Sequence, residues 1–374
     1  MRVETLCWES RRGWSAPFPL LDSEQTLVLV FGKVAEGCPI QQLGEAYRRA
    51  TVLGCSTAGE IHAPHISDDS LSVAIARFEK TQIRSVEASV GRGAGASHQA
   101  GATLAKALHQ PGLRSVFILS DGLAVNGTEL LDGIYSVLPP SVGVSGGLAG
   151  DGSRFQNTSV LSGRAVRSGI VAGVGFYGDA FGVQHGSRGG WDAFGPERVV
   201  TRSRGSVLYE LDGRPALGLY KTYLGERSQG LPATALLFPL SLRGGHSGDS
   251  LVRTIVSVDE EARSMTFAGD IPEESIVQLM RANFDRLIEG AAAAGRRAKV
   301  PEGAASLSVA ISCVGRRLVL GERTEEEVDA VVESLPEGAP LVGFYSYGEI
   351  SPLVPGQCGA LHNQTMTLTR YWEV

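Results

Sequence analysis

Cysteine is scarce in this chain, and its placement argues against the common cysteine-based architectures. The five cysteines are scattered, odd in number and never spaced as C-x-x-C. A disulfide framework or a zinc finger needs paired cysteines at regular spacings, so we expect neither kind of protein. Reduced thiols in a cytoplasmic protein fit this pattern best.

Long apolar runs and basic blocks are also missing. No apolar run approaches the roughly 20 residues that a membrane-spanning helix needs, and residues 1–14 carry charges where a secretory signal would be apolar. The net charge is −6 with no extended basic block, which argues against nucleic-acid binding as the main role. We therefore expect a cytoplasmic protein that binds neither membranes nor nucleic acids.

Glycine, in contrast, is abundant, with 48 residues in a chain of 374. This is well above the usual share of roughly 7%. The glycines have no regular period and cluster at the ends of apolar runs, which indicates many tight turns between strands.

Three copies of one turn pattern stand out, in which a strand is followed by small residues, glycine and a carboxylate. The first copy is Gly-Cys-Ser-Thr-Ala-Gly-Glu-Ile at 54–61, and the second is Gly-Phe-Tyr-Ser-Tyr-Gly-Glu-Ile at 343–350. A looser third copy at 142–151 ends in Asp151. Glycine supplies the backbone freedom that a positive φ or a close approach requires.

Apolar periodicity around these turns predicts a repeated order of strands and helices. The order strand, helix, strand, glycine–carboxylate turn and strand occurs about three times, which indicates an internal repeat of whole supersecondary units. We therefore expect an α/β fold (mixed α+β). Its repeated strand–helix–strand units would form central mixed sheets with helices packed on their faces.

Local patterns give more detailed expectations. Residues 272–297 form the longest helical pattern, and 232–242 is apolar and strand-like. Residues 69–78 alternate as a strand with one apolar face does. Thr324 and Glu327 match a capping box, with Thr324 as the N-cap of a helix.

The two Gly-Glu-Ile turns resemble the two halves of the FIST family, whose members carry an N-terminal and a C-terminal FIST domain in tandem. Further matches lie at 67–71, 146–152 and 362–365. The resemblance covers nearly the whole chain from about residue 24. It implies an N-terminal extension at 1–23, a FIST N-type domain at 24–218 and a FIST C-type domain at 219–374.

The resemblance also implies a function. FIST domains are regarded as sensory, ligand-binding modules of bacterial signalling, and amino acids have been suggested as their ligands. Stand-alone members of this length resemble haem-binding, nitric-oxide-sensing proteins that regulate a partner histidine kinase. We therefore expect a sensor and not an enzyme, with haem as the leading ligand and an amino acid or other small metabolite as the alternative. A homodimer is possible within this interpretation.

The candidate pocket residues follow from the two Gly-Glu turns, and we expect binding where the two halves meet. Glu60 and Glu349 could contribute carboxylates to a pocket, or they could cap nearby backbone N–H groups as structural residues. Tyr345 and Tyr347 could line the same cavity, each with a polar tip. Trp191, in a glycine-rich loop, could cover a flat ligand or anchor its loop on the core.

Haem iron needs an axial donor such as imidazole in an apolar pocket. His62 follows the first turn directly and is the predicted metal ligand, with His65 as the next candidate. His246 and His362 are rivals, and any of these histidines could instead be an ordinary surface or hydrogen-bonded residue.

An enzyme that uses Glu60 and Glu349 with Ser56 or Cys55 is the alternative of a different class. A nucleophile needs an adjacent base and an orienting acid, and the first turn does not match G-x-S-x-G. We therefore assign no catalytic residue.

Overall fold

Three successive chain segments fold into the same α/β unit, and each is built from the apolar strands that the sequence predicts. The computed structural model describes residues 1–34, 38–243, 250–354 and 356–374. The first unit contains β1 (Arg2–Glu9), β2 (Gly13–Trp14), β3 (Thr26–Gly32), α1 (Ile40–Ala46), β4 (Thr51–Cys55), β5 (Glu60–His62), β6 (His65–Ser67) and β7 (Leu71–Arg77).

The second unit repeats the order of the main strands and has a helix where the first unit has the short strand β2. Its elements are β8 (Gln82–Ser89), α2 (Ala96–Leu108), β9 (Leu113–Ser120), α3 (Gly127–Tyr135), β10 (Gly143–Leu148), β11 (Val160–Ser162), β12 (Ala165–Arg167) and β13 (Ile170–Tyr177).

The third unit begins with β14 (Phe181–Arg188) and is then interrupted by an inserted domain. The insertion contains β15 (Asp192–Arg204), β16 (Val207–Leu211), β17 (Arg214–Pro215), α4 (Ala216–Leu224), two 3-10 helices (Gly225–Gly230 and Ala233–Leu237), β18 (Leu240–Arg243), β19 (Ser250–Arg253), β20 (Ile255–Asp259), β21 (Ser264–Phe267) and β22 (Ile276–Arg281).

The third unit then resumes and continues to the end of the chain. It adds α5 (Phe284–Arg297), β23 (Ser306–Cys313), α6 (Val314–Leu320), a 3-10 turn (Gly321–Arg323), α7 (Thr324–Glu333), β24 (Leu341–Ser346), β25 (Gly348–Pro352), β26 (Gly359–His362) and β27 (Met366–Glu373).

Each unit forms a sheet with the same strand order. The central strands run β4-β3-β7-β1 in the first sheet, β10-β9-β13-β8 in the second and β24-β23-β27-β14 in the third. In every sheet the first two of these strands are parallel, as β3 and β4 are, and the other neighbours are antiparallel. The expected mixed sheets and the internal repeat are therefore confirmed.

The units are tied together because each one gives its short hairpin to another unit's sheet. The β5–β6 hairpin of the first unit pairs with β24 of the third. The β25–β26 hairpin of the third unit pairs with β10 of the second, and the β11–β12 hairpin of the second pairs with β4 of the first. The exchange closes a ring of three units, so the turn before each hairpin lies at a junction between units.

The same close approach recurs beside each parallel strand pair. Gly54, Gly146 and Gly343 occupy matching register positions on β4, β10 and β24. A Cβ atom at any of them would overlap a backbone carbonyl oxygen of the neighbouring strand. Glycine is therefore required at this position in all three units.

The apolar core lies between the inner faces of the three sheets. Phe31 of the first sheet stacks on Phe344 of the third with 4.8 Å between ring centroids, and Phe176 of the second stacks on Tyr371 at 5.2 Å. The helices cover the outer faces, where α2 packs with α3 and α5 with α7. Among the described residues, no helix combines the length and the apolar character that a bilayer crossing requires.

The strand β7 differs from the expected alternation at 69–78. Its residues from Leu71 to Ala76 are buried on both faces, and only Arg77 is exposed. One face packs into the core between the sheets and the other lies beneath α1, so small residues such as Ala74 are as buried as the large ones.

The inserted domain corrects two sequence-based predictions. The helix predicted over 272–297 begins only at Phe284, because Ile276–Arg281 pairs as β22 with β15 and β18. The strand predicted over 232–242 is confined to Leu240–Arg243, and a 3-10 helix at Ala233–Leu237 precedes it. Cross-strand pairing within the insertion therefore overrides the local helical periodicity of residues 276–281.

The predicted capping box at Thr324 is also wrong. Thr324 is the first residue of α7, and its hydroxyl donates to the carbonyl oxygen of Arg317 at 3.3 Å. Glu327 does not reach back to the helix start because it accepts a hydrogen bond from the buried Arg316 guanidinium at 2.5 Å. A buried arginine needs an anionic partner, and this need outweighs helix capping.

Candidate functional site

The first turn, at 56–59, lies where all three units meet. On one side it binds the second unit, because Ser56 N donates to Ser159 O at 2.9 Å and Gly150 N donates to Ser56 O at 2.9 Å. On the other side it binds the third unit, through Ala58 N to Tyr345 O at 2.8 Å. A small-residue turn suits this junction because backbone from two other units approaches it closely.

Gly59 lets a side chain of the third unit reach the same turn. A Cβ at Gly59, where φ is +133°, would overlap the guanidinium of Arg317. Arg317 donates to Ala58 O at 2.6 Å and binds both carboxylate oxygens of Asp68 at 2.7 Å each. The bidentate ion pair between Arg317 and Asp68 therefore links the third unit to the first beside this turn.

Glu60 begins the hairpin directly after this turn and is only 3% exposed. Its carboxyl group accepts hydrogen bonds from the Thr57 hydroxyl at 2.5 Å, and from the Ser70 backbone N–H at 3.1 Å and hydroxyl at 2.8 Å. Burial raises the pKa of Glu60 to about 7, although these hydrogen bonds oppose the shift. Near neutral pH the group can therefore hold or release a proton.

A cavity of about 360 Å³, here called the Glu60 cleft, opens beside this carboxyl group. Its lining comes from the first and second units. The polar residues of the lining are Lys33, Ser56, Thr57, Glu60, Asp68, Asp69, Asp151, Arg154, Asn157 and Ser159. A second cavity of about 570 Å³ adjoins it, shares Asp68 and Arg154, and extends the space to Arg317 of the third unit.

The rim of the Glu60 cleft carries charges of both signs. Lys33 and Asp69 form an ion pair at 3.1 Å, and both side chains are more than half exposed. Arg154 is also exposed and lies 3.9 Å from Asp151. The exposed Lys33–Asp69 pair can exchange partners at little cost, so the rim presents both a cation and a carboxylate to solvent.

Glu349 repeats the bonding of Glu60 but is sealed from solvent. It accepts from the Ser346 hydroxyl at 3.0 Å, and from Thr365 through the backbone N–H at 3.2 Å and the hydroxyl at 2.8 Å. Burial raises the pKa of Glu349 to about 8. Glu349 is fully buried and is absent from the lining of the Glu60 cleft, so the two carboxyl groups do not share that cavity.

In the second unit the matching carboxylate is Asp121, which sequence comparison of the turns missed. Gly169 precedes β13 as Ser70 precedes β7, and its N–H donates to Asp121 at 2.8 Å. Thr158 donates its hydroxyl to Asp121 at 2.7 Å. Asp121 comes from the end of β9, before the helix, so no alignment of the three turns could have found it.

Asp151 has a different role from the two glutamates. It accepts from the backbone N–H groups of Phe155 at 2.9 Å, Gln156 at 3.0 Å and Asn157 at 2.9 Å. Burial opposes ionisation, but these bonds and one from the Tyr347 hydroxyl leave the pKa of Asp151 below its usual value. An ionised Asp151 therefore shapes the 150–159 loop that forms one wall of the Glu60 cleft.

The two tyrosines of the second turn do not share a cavity. The Tyr345 hydroxyl is fully buried and donates to Glu327 at 2.9 Å. The Tyr347 hydroxyl donates to Asp151, and its ring stacks on Phe155 with 4.4 Å between centroids. Tyr345 thus lies in a buried ionic network, and Tyr347 lies against the loop that Asp151 organises.

Trp191 and His362 line another cavity, which lies beside the Glu349 turn. The Trp191 indole N–H donates to Gln364 O at 2.8 Å. Both ring nitrogens of His362 are engaged, Nε2 with Ser351 O at 2.8 Å and Nδ1 with the Ser187 hydroxyl at 3.3 Å.

The histidines predicted to bind haem lie apart from the Glu60 cleft. His62 and His65 face each other across the β5–β6 hairpin, outside the lining of the Glu60 cleft. His62 Nδ1 lies 3.4 Å from the Ser72 hydroxyl, and His65 is exposed. His362 has no free nitrogen for iron, and His246 lies outside the described residues.

The nucleophile alternative has no geometric support in the described part of the chain. Cys55 is fully buried, and burial raises the pKa of its thiol well above the usual value, which makes it a weak nucleophile. Ser56 Oγ accepts from Ser159 N at 3.0 Å, and no described imidazole bonds to it.

Several residues of the cleft were not singled out from the sequence. Lys33 follows an apolar strand, and Arg154, Asn157 and Ser159 lie in a polar loop. Asp68 was available as a signal, because it falls in the 67–71 segment that resembles the family. The others carry no local pattern that marks them as site residues.

A ring of three repeated α/β units with a polar cleft at their junction places this chain among tandem-repeat α/β proteins. The FIST N domain model matches residues 26–214 and the FIST C domain model matches 216–352. The chain belongs to the FIST family, whose domains are sensory ligand-binding modules in signalling. Membership of a sensory family favours a non-enzymatic role.

Mycobacterial relatives and a solved structure are similar to the chain. An uncharacterized protein of Mycobacterium tuberculosis is 28% identical over 270 residues, covering 68% of this chain and 67% of that protein. An uncharacterized protein of Mycobacterium bovis is 28% identical over 249 residues, covering 62% and 61%. A chorismatase crystal structure aligns with a TM-score of 0.38 and 10% identity over 100% of this chain and 98% of that one, which gives no argument for a shared activity.

Proposed function

We propose that this protein is a cytoplasmic sensor whose Glu60 cleft binds a small zwitterionic metabolite of amino-acid size. The observation that carries the proposal is the junction itself: residues of the first and second units line one cleft, which adjoins a cavity reaching Arg317 of the third unit. A volume of about 360 Å³ falls within the range of small-molecule sites.

The charges of the cleft support a ligand with both an amine and an acid group. Lys33 and Arg154 supply cations at the rim, while Asp68 and Asp69 supply carboxylates. A purely apolar ligand would desolvate these charged groups without adding a partner to any of them, which is unfavourable. A zwitterion can satisfy both signs at once.

The position of the cleft supports a signalling role. A ligand shifts a conformational equilibrium only by its difference in affinity for the two states. A ligand here contacts the 56–60 turn and the 150–159 loop, which belong to different units. Binding would therefore favour one relative placement of the units, and a separate protein would read that placement.

Haem with nitric oxide, a partner histidine kinase and a homodimer stay predictions from the family resemblance. A visible spectrum after haem addition tests the first of them on the same purified protein. A Soret band that disappears in His62→Ala would favour haem over the zwitterion.

The direct test is isothermal titration calorimetry with the twenty amino acids, preceded by a thermal-shift screen of the same panel. We expect saturable binding by at least one amino acid. Lys33→Gln and Arg154→Gln should each weaken it by about tenfold, the effect of losing one charge-assisted hydrogen bond.

Lys106→Gln on the exposed face of α2 is the matched control, because it removes a lysine that is not part of the cleft lining. It should bind like the unmodified protein. The proposal would be overturned if no amino acid of the panel bound. It would also be overturned if Lys33→Gln and Arg154→Gln bound as tightly as the unmodified protein.

A further inference from the structure

A third cavity, with a volume of about 730 Å³, lies between β14, α5 and the inserted domain. We propose that it binds an organic anion, with the acid group between Arg188 and Arg297 and an apolar body against Trp191 and Met280. This cavity, here called the Arg297 cavity, shares no lining residue with the Glu60 cleft.

The cationic end of the cavity is formed by two arginines from facing elements. Arg188 ends β14, and Arg297 ends α5, which packs on β14. The Arg297 guanidinium donates to Ser187 O at 3.3 Å, next to Arg188 in the chain. Two guanidinium groups at one end form a binding site for a carboxylate or phosphate group.

These two cations are not neutralised within the described part of the chain. The other charged residues of the lining are neutralised by ion pairs. Arg286 pairs with Asp192 at 2.5 Å, and Glu289 pairs with Arg296. Neither Arg188 nor Arg297 has a carboxylate within ion-pair distance among the described residues. An anionic ligand would therefore add a charge partner for both arginines.

The opposite wall of the cavity is apolar. Trp191 lines this wall, and its indole N–H donates to Gln364 O at 2.8 Å. Met280, Val252 and Leu353 extend this surface. Apolar surface beside a cationic end suits a ligand that combines an acid group with a hydrocarbon or ring body.

The polar floor of the cavity adds no charge. Burial lowers the pKa of His362 to about 4, so its ring is neutral, with Nε2–H donating to Ser351 O. The Thr365 hydroxyl is occupied by Glu349. The floor therefore does not compensate the two arginines, and the cavity selects for anions, whereas the Glu60 cleft carries both signs.

The test is calorimetric titration of the full chain with benzoate and phenyl phosphate, with benzamide as the uncharged isostere and inorganic phosphate as the anion without an apolar body. We expect saturable binding of benzoate or phenyl phosphate that is at least tenfold tighter than that of benzamide and of inorganic phosphate. Arg188→Gln, an exposed change that leaves the fold intact, and Arg297→Gln should each weaken binding by about tenfold.

Arg84→Gln on the exposed edge strand β8 is the matched control and should leave binding unchanged. Circular dichroism and the thermal midpoint verify that each variant is folded. Equal affinity for benzoate and benzamide, no binding of either acid, or undiminished binding by Arg188→Gln would overturn the proposal. Loss of amino-acid binding in Lys33→Gln bears only on the Glu60 cleft, so the two proposals fail independently.

Discussion

The turns at Glu60 and Glu349 share one hydrogen-bond pattern but differ in what lies beyond it. Each glutamate accepts a hydrogen bond from the hydroxyl of the residue three positions earlier. Each also accepts two hydrogen bonds, from the backbone N–H and the hydroxyl of the residue that precedes the unit's last strand. Glu60 lines an open cleft, whereas Glu349 lies beneath Thr365 and is fully buried. The shared pattern serves the fold, and a binding site arises only where the surrounding loops leave the carboxyl group accessible.

The largest expected effect is on the pH dependence of stability, which should differ between the two glutamates. The pKa of Glu349 rises from 4.5 unfolded to about 8 folded, so the folded state retains a proton that the unfolded state loses. The stability that this proton gives is complete below pH 4.5 and is lost as pH rises toward 8. Glu349→Gln mimics the protonated group, so its stability relative to the unmodified protein should rise by on the order of 4 kcal/mol between pH 5 and 8.

Urea unfolding at several pH values measures this difference. Glu60→Gln should show the same sign over a narrower range, since the pKa of Glu60 rises only to about 7. Parallel stability curves for Glu349→Gln and the unmodified protein would contradict the prediction.

The next largest expected effect on stability concerns the glycine that all three units share beside their parallel strand pairs. Gly343→Ala should destabilise the fold by about 3 kcal/mol, because the new Cβ would overlap backbone of the neighbouring strand. Gly54→Ala should cost about the same. Gly218→Ala, in an open position of α4, is the control and should stabilise by about 0.5–1 kcal/mol. Chemical denaturation measures all three, and a neutral Gly343→Ala would show that the repeat tolerates a side chain there.

A third experiment tests whether Asp121 is the counterpart of the two glutamates. Asp121→Asn places an amide N–H donor against the backbone N–H groups whose hydrogen bonds the carboxylate now accepts. The substitution should lower the free energy of unfolding by about 2 kcal/mol. Asp179→Asn, a fully exposed change, should stay within about 0.5 kcal/mol of the unmodified protein. If Asp121→Asn matched Asp179→Asn in unfolding experiments, Asp121 would not be the third structural carboxylate.

The smallest expected effect is on ligand affinity, whose pH dependence should come from Glu60 and not from Glu349. If an amine ligand occupies the Glu60 cleft, its affinity should rise about three- to tenfold from pH 6 to 8 as Glu60 ionises, since an ammonium group prefers a carboxylate. Glu60→Gln should flatten this dependence, and Glu349→Gln should preserve it. Calorimetric titration at three pH values measures the slope, and equal slopes for both variants would place the ligand elsewhere.

Much of the fold could be predicted from the sequence because local burial leaves a local pattern. The run that became β3 is apolar from Leu27 to Phe31, as suits a strand buried on both faces, and β9 carries a shorter apolar run at 116–119. Residues 276–281 were misassigned because their apolar spacing fits a helix as well as a strand. Only pairing with β15 and β18 decides between the two structures.

The candidate site was predictable only in part. Glu60 was identified because it belongs to a repeated turn, whereas Lys33 and Arg154 lie in loops without any repeated pattern. The arginines of the Arg297 cavity come from β14 and α5, elements separated by the whole inserted domain. No spacing in the sequence connects them.

The sequence by itself determined the repeated strands, the three turns and the glycines that the parallel strand pairs require, because these depend on neighbours close in the chain or on one repeated unit. Only the tertiary structure decided that the hairpins are exchanged, that Asp121 and not Asp151 matches the two glutamates, and that Glu60 is accessible while Glu349 is sealed. Each of these depends on contacts between units, and the hydrogen bonds and burial that fix them exist only after the ring of three has closed.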